Sequence, residues 1–258
     1  MRRQCGLLVA AVFVFGGVIA GAQNNNEVLH ARDFNARETI SSIFISPLPN
    51  APFQATVTAE WTKYLPDGTT VTRRNRRLVV RDSRGRIYQE RRMLEPGAIL
   101  EQTPLLRIEI SDPVAHTKYF CEPSLAQCEL RTYDVPADEP VAPVGQTADN
   151  NYLSRASLGS KTIDGLEAIG TRETVTHPTG AIGNSQPLEY TKEFWYSPKL
   201  GLNLQVTRLD PVHGDQFFSV VDLKLSEPDP RLFVLPPTTK VVDLRQPAAS
   251  TGAVTAAH

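Results

Sequence analysis

Residues 53–68, FQATVTAEWTKYLPDG, decide how this chain folds. Apolar side chains alternate here with polar ones, and the apolar set is Phe53, Ala55, Val57, Ala59 and Trp61. Because successive side chains of a strand point to opposite faces, a period of two predicts a β-strand with one dry face. The PDG that follows predicts a tight turn, since proline presets φ and glycine tolerates positive φ.

The same alternation recurs along the chain between turn-forming segments. It recurs in 69–81, LLRIEIS (105–111), LEYTKEFWYS (188–197), LNLQVTRLD (202–210) and QFFSVVDLKLS (216–226). This spacing predicts about nine to eleven antiparallel strands. Strands of this length joined by short turns curl. We therefore predict a mainly β protein, a single strongly curved antiparallel sheet (a half-barrel) with one or a few helices on its concave side. A closed up-and-down β-barrel and a β-sandwich are the alternatives.

The composition of the chain predicts four segments. They are a signal peptide (1–22), an N-terminal segment with a helix at ARDFNARETISSIF (23–52, helix 31–44), a curved β domain (53–240) and a disordered tail (241–258). Residues 134–151 carry prolines and acids without periodicity, which predicts an exposed loop inside the β domain. A linker between two domains is the alternative for this loop.

The first 22 residues have the features of a secretory signal. Arg2 and Arg3 precede the apolar run 6–20, and Ala20-Gly21-Ala22 fits a cleavage site before Gln23. An uncleaved anchor is the alternative, but the apolar run is short for a span of ~20 residues. We therefore expect export to the periplasm or full secretion, with no transmembrane segment after cleavage.

Two cysteines, Cys121 and Cys128, are left after signal cleavage. An oxidising compartment and an even count predict a disulfide across a hairpin. Zinc would need further ligands at suitable spacing, and the sequence does not offer them.

Nine arginines within twenty residues are the one unusual feature of charge. They are Arg73, Arg74, Arg76, Arg77, Arg81, Arg84, Arg86, Arg91 and Arg92. They predict either recognition of an anion, such as a lipid headgroup, a lipopolysaccharide phosphate or an acidic protein, or solvated charge that protects a sheet edge. A net charge of -1 and the lack of an aromatic platform among these arginines argue against nucleic acid.

Signals of catalysis are weak. The sequence has no G-x-S-x-G, no H-E-x-x-H and no P-loop, and its five histidines are scattered. We therefore predict a non-enzymatic protein without cofactor or metal. A hydrolase remains as a third class, and it would need His116, His177 or His213 beside an acid and a serine.

Three phrases in the C-terminal third carry a resemblance. They are KTIDGLEAIGTRE (161–173), KEFWYSPKLGLNLQV (192–206) and LKLSEPDPRLFVLP (223–236). In this order they resemble the periplasmic lipoprotein-carrier and lipoprotein-sorting family, together with related sigma-factor-regulating sensor proteins. The resemblance implies a half-barrel whose helices lie over the concave side, with acyl chains or other apolar ligands bound between.

In EPDPRLFVLP (227–236), Asp229 is predicted to cap a single helical turn that begins at Pro230. That turn would bring Leu232, Phe233 and Leu235 back against the sheet. The cluster EFWYS (193–197) must place Trp195 opposite Phe194 and Tyr196, so that either Trp195 lies on the outer face or both faces are covered.

From these observations we predict an exported binding or carrier protein for an acyl chain, a lipoprotein or a similar amphiphile. The alternative is an envelope sensor or protein-interaction module that uses the arginine-rich hairpin against an acidic envelope protein. The predicted ligand-binding residues are Trp61, Arg74, Arg76, Ile108, Phe194, Tyr196, Leu204 and Phe217.

Overall fold

The computed structural model describes residues 43–97, 103–136 and 141–245. Fourteen strands join into one sheet. They are β1 (Phe53–Tyr64), β2 (Thr70–Arg81), β3 (Ile87–Arg92), β4 (Glu95–Pro96), β5 (Leu105–Asp112), β6 (Thr117–Glu122), β7 (Gln127–Thr132), β8 (Gly145–Gln146), β9 (Tyr152–Ile163), β10 (Leu166–His177), β11 (Leu188–Ser197), β12 (Leu202–Leu209), β13 (Asp215–Lys224) and β14 (Lys240–Asp243). Two 3-10 helical turns, Pro123–Leu125 and Pro230–Phe233, are the helical elements of the described part.

The sheet is open. Its order is β14-β7-β6-β5-β3-β2-β1-β13-β12-β11-β10-β9-β8, with β4 paired to β2 beside this path. Every pairing is antiparallel except that of β14 with β7, which is parallel. The predicted half-barrel class is therefore confirmed, and neither a closed barrel nor a two-sheet sandwich describes this sheet. β1 lies at its centre because β13 returns to pair with it.

The two faces of the sheet are named here after Trp61 and Tyr88. Directly opposed residues of a ladder project to the same side. Register then places Ala59, Phe218 and Val206 on the Trp61 face, since Ala59 opposes Phe218 and Phe218 opposes Val206. Val206 and Phe218 are buried, as are Phe53 and Val57 on the same face. The alternation in residues 53–61 thus predicted the dry face of β1 correctly.

The dry side changes at β2, where three consecutive residues are buried. Val79 and Arg81 lie on the Trp61 face opposite Ala55 and Phe53, whereas Val80 lies on the Tyr88 face opposite Tyr88. From β3 to β6 an apolar cluster forms on the Tyr88 face around Tyr88 and Ile110, with Ile108 and Tyr119 beside them. Ile87 remains on the Trp61 face, opposite Arg81. Since β2 packs on both sides, each half of the sheet can bury a different face.

The turn predicted from EPDPRLFVLP is present. The Asp229 carboxylate accepts a hydrogen bond from the backbone N–H of Arg231, 2.9 Å away, and caps the turn Pro230–Phe233. Leu232, Phe233 and Leu235 pack against Val80, Tyr88 and Ile110, so this segment covers the Tyr88 face.

Residues 43–52 approach the sheet as an irregular segment. Most of the predicted helix 31–44 lies outside the described residues, and its last two residues, Ile43 and Phe44, are not helical. Ile43 and Ile45 are buried. The β domain begins at Phe53 as predicted, but it ends later than residue 240, because Lys240–Asp243 form β14 against β7. The signal peptide and the end of the predicted tail also lie outside the described residues.

The predicted loop 134–151 contains a short strand. Gly145 and Gln146 form β8 and pair with β9, so this loop joins the same sheet. Residues 137–140 of the loop lie outside the described part.

Two turns need glycine because backbone approaches them closely. A Cβ on Gly214, in the β12–β13 turn, would lie 2.3 Å from the Thr62 carbonyl oxygen. A Cβ on Gly85, in the β2–β3 turn, would lie 2.8 Å from the Pro47 carbonyl oxygen. Both residues also have positive φ, a conformation that disfavours residues with a Cβ.

The predicted disulfide between Cys121 and Cys128 is present and links directly opposed residues of β6 and β7. Within the ranges that the structure describes, none of the helices is long and apolar enough to cross a membrane.

Candidate binding surface

The structure divides the eight predicted ligand-binding residues between opposite faces. Trp61, Phe194 and Leu204 lie on the Trp61 face. Four lie on the opposite face, namely Arg74, Arg76, Ile108 and Phe217. The eighth, Tyr196, lies on the side of Phe194 by its register with β10. Ile108 and Phe217 therefore do not share a surface with Trp61, Phe194 and Leu204. For Ile108 the reason is the change of dry face at β2, whereas Phe217 alternates along β13 with the buried Phe218.

The β11–β12 register shifts between Trp195 and Tyr196, and the residue it skips is Leu204 of β12. The β10–β11 register is not shifted there, since Phe194, Trp195 and Tyr196 oppose Thr171, Gly170 and Ile169 in turn. Tyr196 therefore lies on the side of Phe194. Trp195 projects to the opposite side, as the alternation predicts. Trp195 packs there beside Gly170, with the Lys161 ammonium 3.8 Å from its ring centroid.

On the Trp61 face the apolar surface continues beyond the buried core. Trp61 and Leu204 are 5% and 1% exposed, and the Trp61 indole N–H donates to the His213 carbonyl at 2.9 Å. Farther along the face, Phe194 of β11 is only half-buried. Leu188 and Tyr190 of β11 and Val175 of β10 share this face and are also half-buried. The four side chains Val175, Leu188, Tyr190 and Phe194 form what we call the apolar shelf.

The arginine-rich hairpin is largely engaged inside the protein. Arg81 is fully buried and donates to the carbonyl oxygens of Ala51, Ser46 and Leu200 at 2.9, 2.8 and 2.7 Å. Arg77 is also buried and donates to the Ile43 carbonyl at 3.1 Å. Burial lowers the pKa of Arg81 to about 10. Both side chains hold residues 43–52 on the Trp61 face, so neither is available to a partner.

The remaining arginines of the hairpin mostly face acids of their own chain. Arg74 contacts Glu60 and Arg76 contacts Asp222, each at 2.6 Å. Arg86 pairs with the buried Asp82 at 2.7 Å, and Arg92 pairs with Glu90 at 2.8 Å. The sequence allowed two interpretations of these arginines, recognition of an anion and solvated charge at a sheet edge. The contacts described here are with acids of the same chain, and they favour the second interpretation.

A second charged group lies on the Trp61 face of β3 to β7. The carboxylate of Glu109, 3% exposed, contacts Arg91 at 3.0 Å, Arg107 at 2.9 Å and Lys118 at 3.3 Å. Burial by itself raises the pKa of Glu109, but the hydrogen bond and charge of Arg91 and the charges of Lys118 and Arg107 outweigh it. They lower the pKa to about 2. The motifs of the sequence did not single out Glu109, although its position between Ile108 and Ile110 predicts a polar face there.

Two depressions near this group are lined by charged side chains. One, of about 420 Å³, is bordered by Arg131, Thr132, Asp134 and Leu244. The other, of about 230 Å³, is bordered by Arg107, Phe120, Glu122, Glu129 and Arg131. Acids and bases alternate around both, so they do not suit an apolar chain.

His177 and His213 have different surroundings in the part of the chain that the structure describes. His213 contacts Asp210 at 3.0 Å in the exposed β12–β13 turn, and the His177 ring packs edge-on against Tyr190. Within the described ranges, no group of three or more His, Cys, Asp or Glu residues is arranged to hold a metal ion.

No family model matches the chain, and no curated protein matches it. Among solved structures, an uncharacterized conserved protein from Thermus thermophilus is 14% identical with a TM-score of 0.38, covering 75% of this chain and 91% of that one. The Pseudomonas aeruginosa MucA/MucB complex gives 16% identity and a TM-score of 0.36 over 74% of this chain and 58% of that one. A LolA superfamily protein from Nitrosomonas europaea is 14% identical with a TM-score of 0.28, and the match covers 72% of this chain and 91% of that one.

This chain spans little more than half of the MucB chain's length. Identities this low concern the fold, and no ligand or partner is transferred from them.

Proposed function

We propose that this chain is an exported, non-enzymatic binding protein that holds the acyl chain of a lipid, a lipoprotein or a similar amphiphile. The ligand would lie on the apolar shelf, beside the core around Trp61 and Leu204. The periplasm, or the exterior of the cell, is the compartment that the sequence of residues 1–22 favours.

The observation that carries this proposal is the half-burial of four neighbouring apolar side chains on one face. Val175 opposes Tyr190, and Phe194 opposes the buried Val206. The shelf is therefore continuous with the core rather than separate from it. From Leu188 to Phe194 it extends for about 20 Å at ~3.3 Å per residue, a length that suits an extended acyl chain.

Uptake of a neutral apolar fluorophore, N-phenyl-1-naphthylamine, tests the proposal. We expect the purified protein to bind it, and native mass spectrometry of protein extracted under mild conditions to show bound lipid. Phe194→Ala should weaken uptake about fivefold, because it removes about 1 kcal/mol of apolar contact. Phe217→Ala is the matched control, since Phe217 is 42% exposed on the opposite face.

Equal losses in the two variants, or no uptake by the unaltered protein, would refute the shelf as the binding surface. The N-terminal sequence of the exported protein tests its processing, and we expect it to begin at Gln23.

A protein-interaction role is the second candidate, and the edge of the sheet favours it over the arginine hairpin. β8 pairs with Tyr152 and Leu153 only, so in the described part of the chain the rest of β9 has a neighbour on one side. Such an edge accepts a further strand. Binding of a periplasmic protein that is lost on Ala156→Pro, while uptake of the fluorophore is retained, would support it. Retention of that binding by the proline variant would refute it.

A further inference from the structure

We propose that one end of the sheet is a docking surface for a lipid bilayer. Three turns at this end, called here the three tips, each carry one exposed aliphatic side chain. They are the β1–β2 turn (65–69), the β10–β11 loop (178–187) and the β12–β13 turn (210–214). Contact of the tips with a bilayer is separate from the proposed binding of an amphiphile. Passage of a lipid from the bilayer to the apolar shelf rests on the proposed function.

Register places the three tips at the same end of the sheet. Thr62, near the end of β1, opposes Asp215, the first residue of β13. Leu209, the last residue of β12, opposes Thr191 near the start of β11. Because β11 begins where the β10–β11 loop ends, this loop lies at the same end. Consecutive tips are two strands apart in the sheet, which is about 10 Å at ~4.8 Å between neighbouring strands.

Each tip combines its aliphatic residue with an aspartate or asparagine two residues away. The three pairs are Leu65 with Asp67, Ile182 with Asn184, and Val212 with Asp210. The Asp67 carboxylate accepts a hydrogen bond from the Thr69 N–H at 2.9 Å, and the Asp210 carboxylate accepts one from the Val212 N–H at 2.8 Å. The Asn184 amide donates to the Pro178 carbonyl at 2.9 Å. Because these bonds fix the turns, the aliphatic side chain of each tip has a defined position.

The aliphatic side chains of the tips are exposed, in contrast to the turns at the other end of β2, β10 and β11. Leu65, Ile182 and Val212 are 40%, 51% and 58% exposed. At the other end, turns 82–86 and 164–165 contain no aliphatic residue, and Leu200 of turn 198–201 is buried. Among the turns that join these strands, exposed aliphatic residues therefore mark one end.

The chemistry of the tips suits a bilayer better than a protein partner. Single aliphatic side chains about 10 Å apart, with polar turn residues between them, match a surface that yields to each tip separately, whereas a protein interface buries a continuous core. Tyr64 and Tyr152 are exposed at the same end, and tyrosine favours the boundary between apolar and aqueous phases. The loop 178–187 has no charged residue. Apolar insertion rather than charge should therefore hold the tips, so that zwitterionic lipid suffices.

The tips lie at the end where the apolar shelf begins. Leu188, the first residue of β11, directly follows the loop 178–187. From there the shelf extends through Tyr190 to Phe194, which opposes the buried Val206. An acyl chain that leaves a bilayer at the tips would therefore meet the shelf at its outer end, with the core at its inner end.

Flotation of the exported protein with phosphatidylcholine vesicles tests the inference. We expect the unaltered protein to float with the vesicles, and added salt should not weaken this binding, because salt screens charges only. The triple variant Leu65→Ser/Ile182→Ser/Val212→Ser should bind about tenfold more weakly, because three apolar side chains are lost from the contact. All three positions are exposed, so the variant should keep its fold, which circular dichroism checks.

Val114 supplies a matched control. Residues 112–114 repeat the Asp-Pro-Val of residues 210–212, and Val114 is 76% exposed. Its turn lies at the opposite end of the sheet, since Ser111 of β5 opposes the residue that follows turn 82–86. Val114→Ser should therefore float as the unaltered protein does. In the reverse experiment, brominated phosphatidylcholine should quench the fluorescence of Val212→Trp more strongly than that of Val114→Trp.

Equal flotation of the triple variant and the unaltered protein would overturn the inference, as would flotation that needs anionic lipid and is lost in salt. Absence of flotation in a protein that still takes up N-phenyl-1-naphthylamine would also overturn it. That result would leave the proposed function standing and would make a protein the partner of the tips. Flotation that the triple variant loses, in a protein that takes up no fluorophore, would support the docking surface and refute the apolar shelf instead.

Discussion

The chain covers the two dry faces of its sheet with two different segments. Residues 43–52, which precede β1, lie on the Trp61 face and are held by the buried guanidinium of Arg81, which donates to the carbonyls of Ser46 and Ala51 in this segment and to the Leu200 carbonyl of the β11–β12 turn. Residues 229–236, which follow β13, lie on the Tyr88 face and are held by the apolar side chains of Leu232, Phe233 and Leu235. One cover is attached mainly by hydrogen bonds, the other mainly by apolar contact.

This difference follows from the chemistry of the covering segments. An irregular segment such as 43–52 has backbone carbonyls that need donors when they are buried. Arg81 supplies three N–H donors from one planar group, which satisfies them together. The turn 230–233 satisfies part of its own backbone and can present apolar side chains instead. The first cover should therefore depend on single polar groups, and the second should tolerate their loss.

The largest expected effect is that of Arg81→Met. The substitution keeps an apolar stem but leaves the carbonyls of Ala51, Ser46 and Leu200 without their donor. At about 1–3 kcal/mol for each buried unsatisfied group, we expect a loss of at least about 3 kcal/mol in the free energy of unfolding. Urea denaturation followed by tryptophan fluorescence measures it. Arg76→Met, which breaks the exposed ion pair with Asp222, should cost less than about 1 kcal/mol. Comparable losses in the two variants would show that the first cover does not depend on Arg81.

The second effect concerns the acid stability of the β3–β7 half. The pKa of Glu109 is about 2 in the folded protein, against an ordinary value of 4.5. Because the folded pKa is depressed, the contribution of Glu109 is complete above pH 4.5 and is lost as the pH falls toward 2. It amounts to roughly 3 kcal/mol. Glu109→Gln should be destabilised by a similar amount at pH 7, and its unfolding free energy should fall less steeply between pH 5 and pH 2. Parallel pH profiles for the two proteins would contradict this assignment.

The smallest effect is that of Asp229→Ala in the second cover. It removes the cap of the 3-10 turn and the contacts of that carboxylate with Arg231, which is exposed. We expect a smaller loss of stability than in the two cases above, measured by urea denaturation as above. Asp229→Asn, which retains an acceptor for the Arg231 N–H, should recover most of it. A loss as large as that of Arg81→Met would mean that the two covers are attached in the same way.

The sequence predicted those features that depend on neighbouring residues. Alternation predicted the dry face of β1, PDG and EPDPRLFVLP predicted their turns, and the even count of cysteines in an oxidising compartment predicted the disulfide. The candidate surface was predicted only in part. Phe194 and Trp61 do lie on one face, but Phe217, from the same reasoning, lies on the other.

The amino-acid sequence by itself determined the class of fold, an antiparallel sheet with a period of two, because side-chain direction along a strand is a local property. Only the tertiary structure decided which face is dry in each half, since residues on both faces of β2 are buried. It also decided the roles of the arginines. Arg74 and Arg81 are alike in the sequence, but one lies at the surface beside Glu60 and the other is buried among carbonyl oxygens. Their partners come from strands and segments distant in the chain, and no local pattern encodes such contacts.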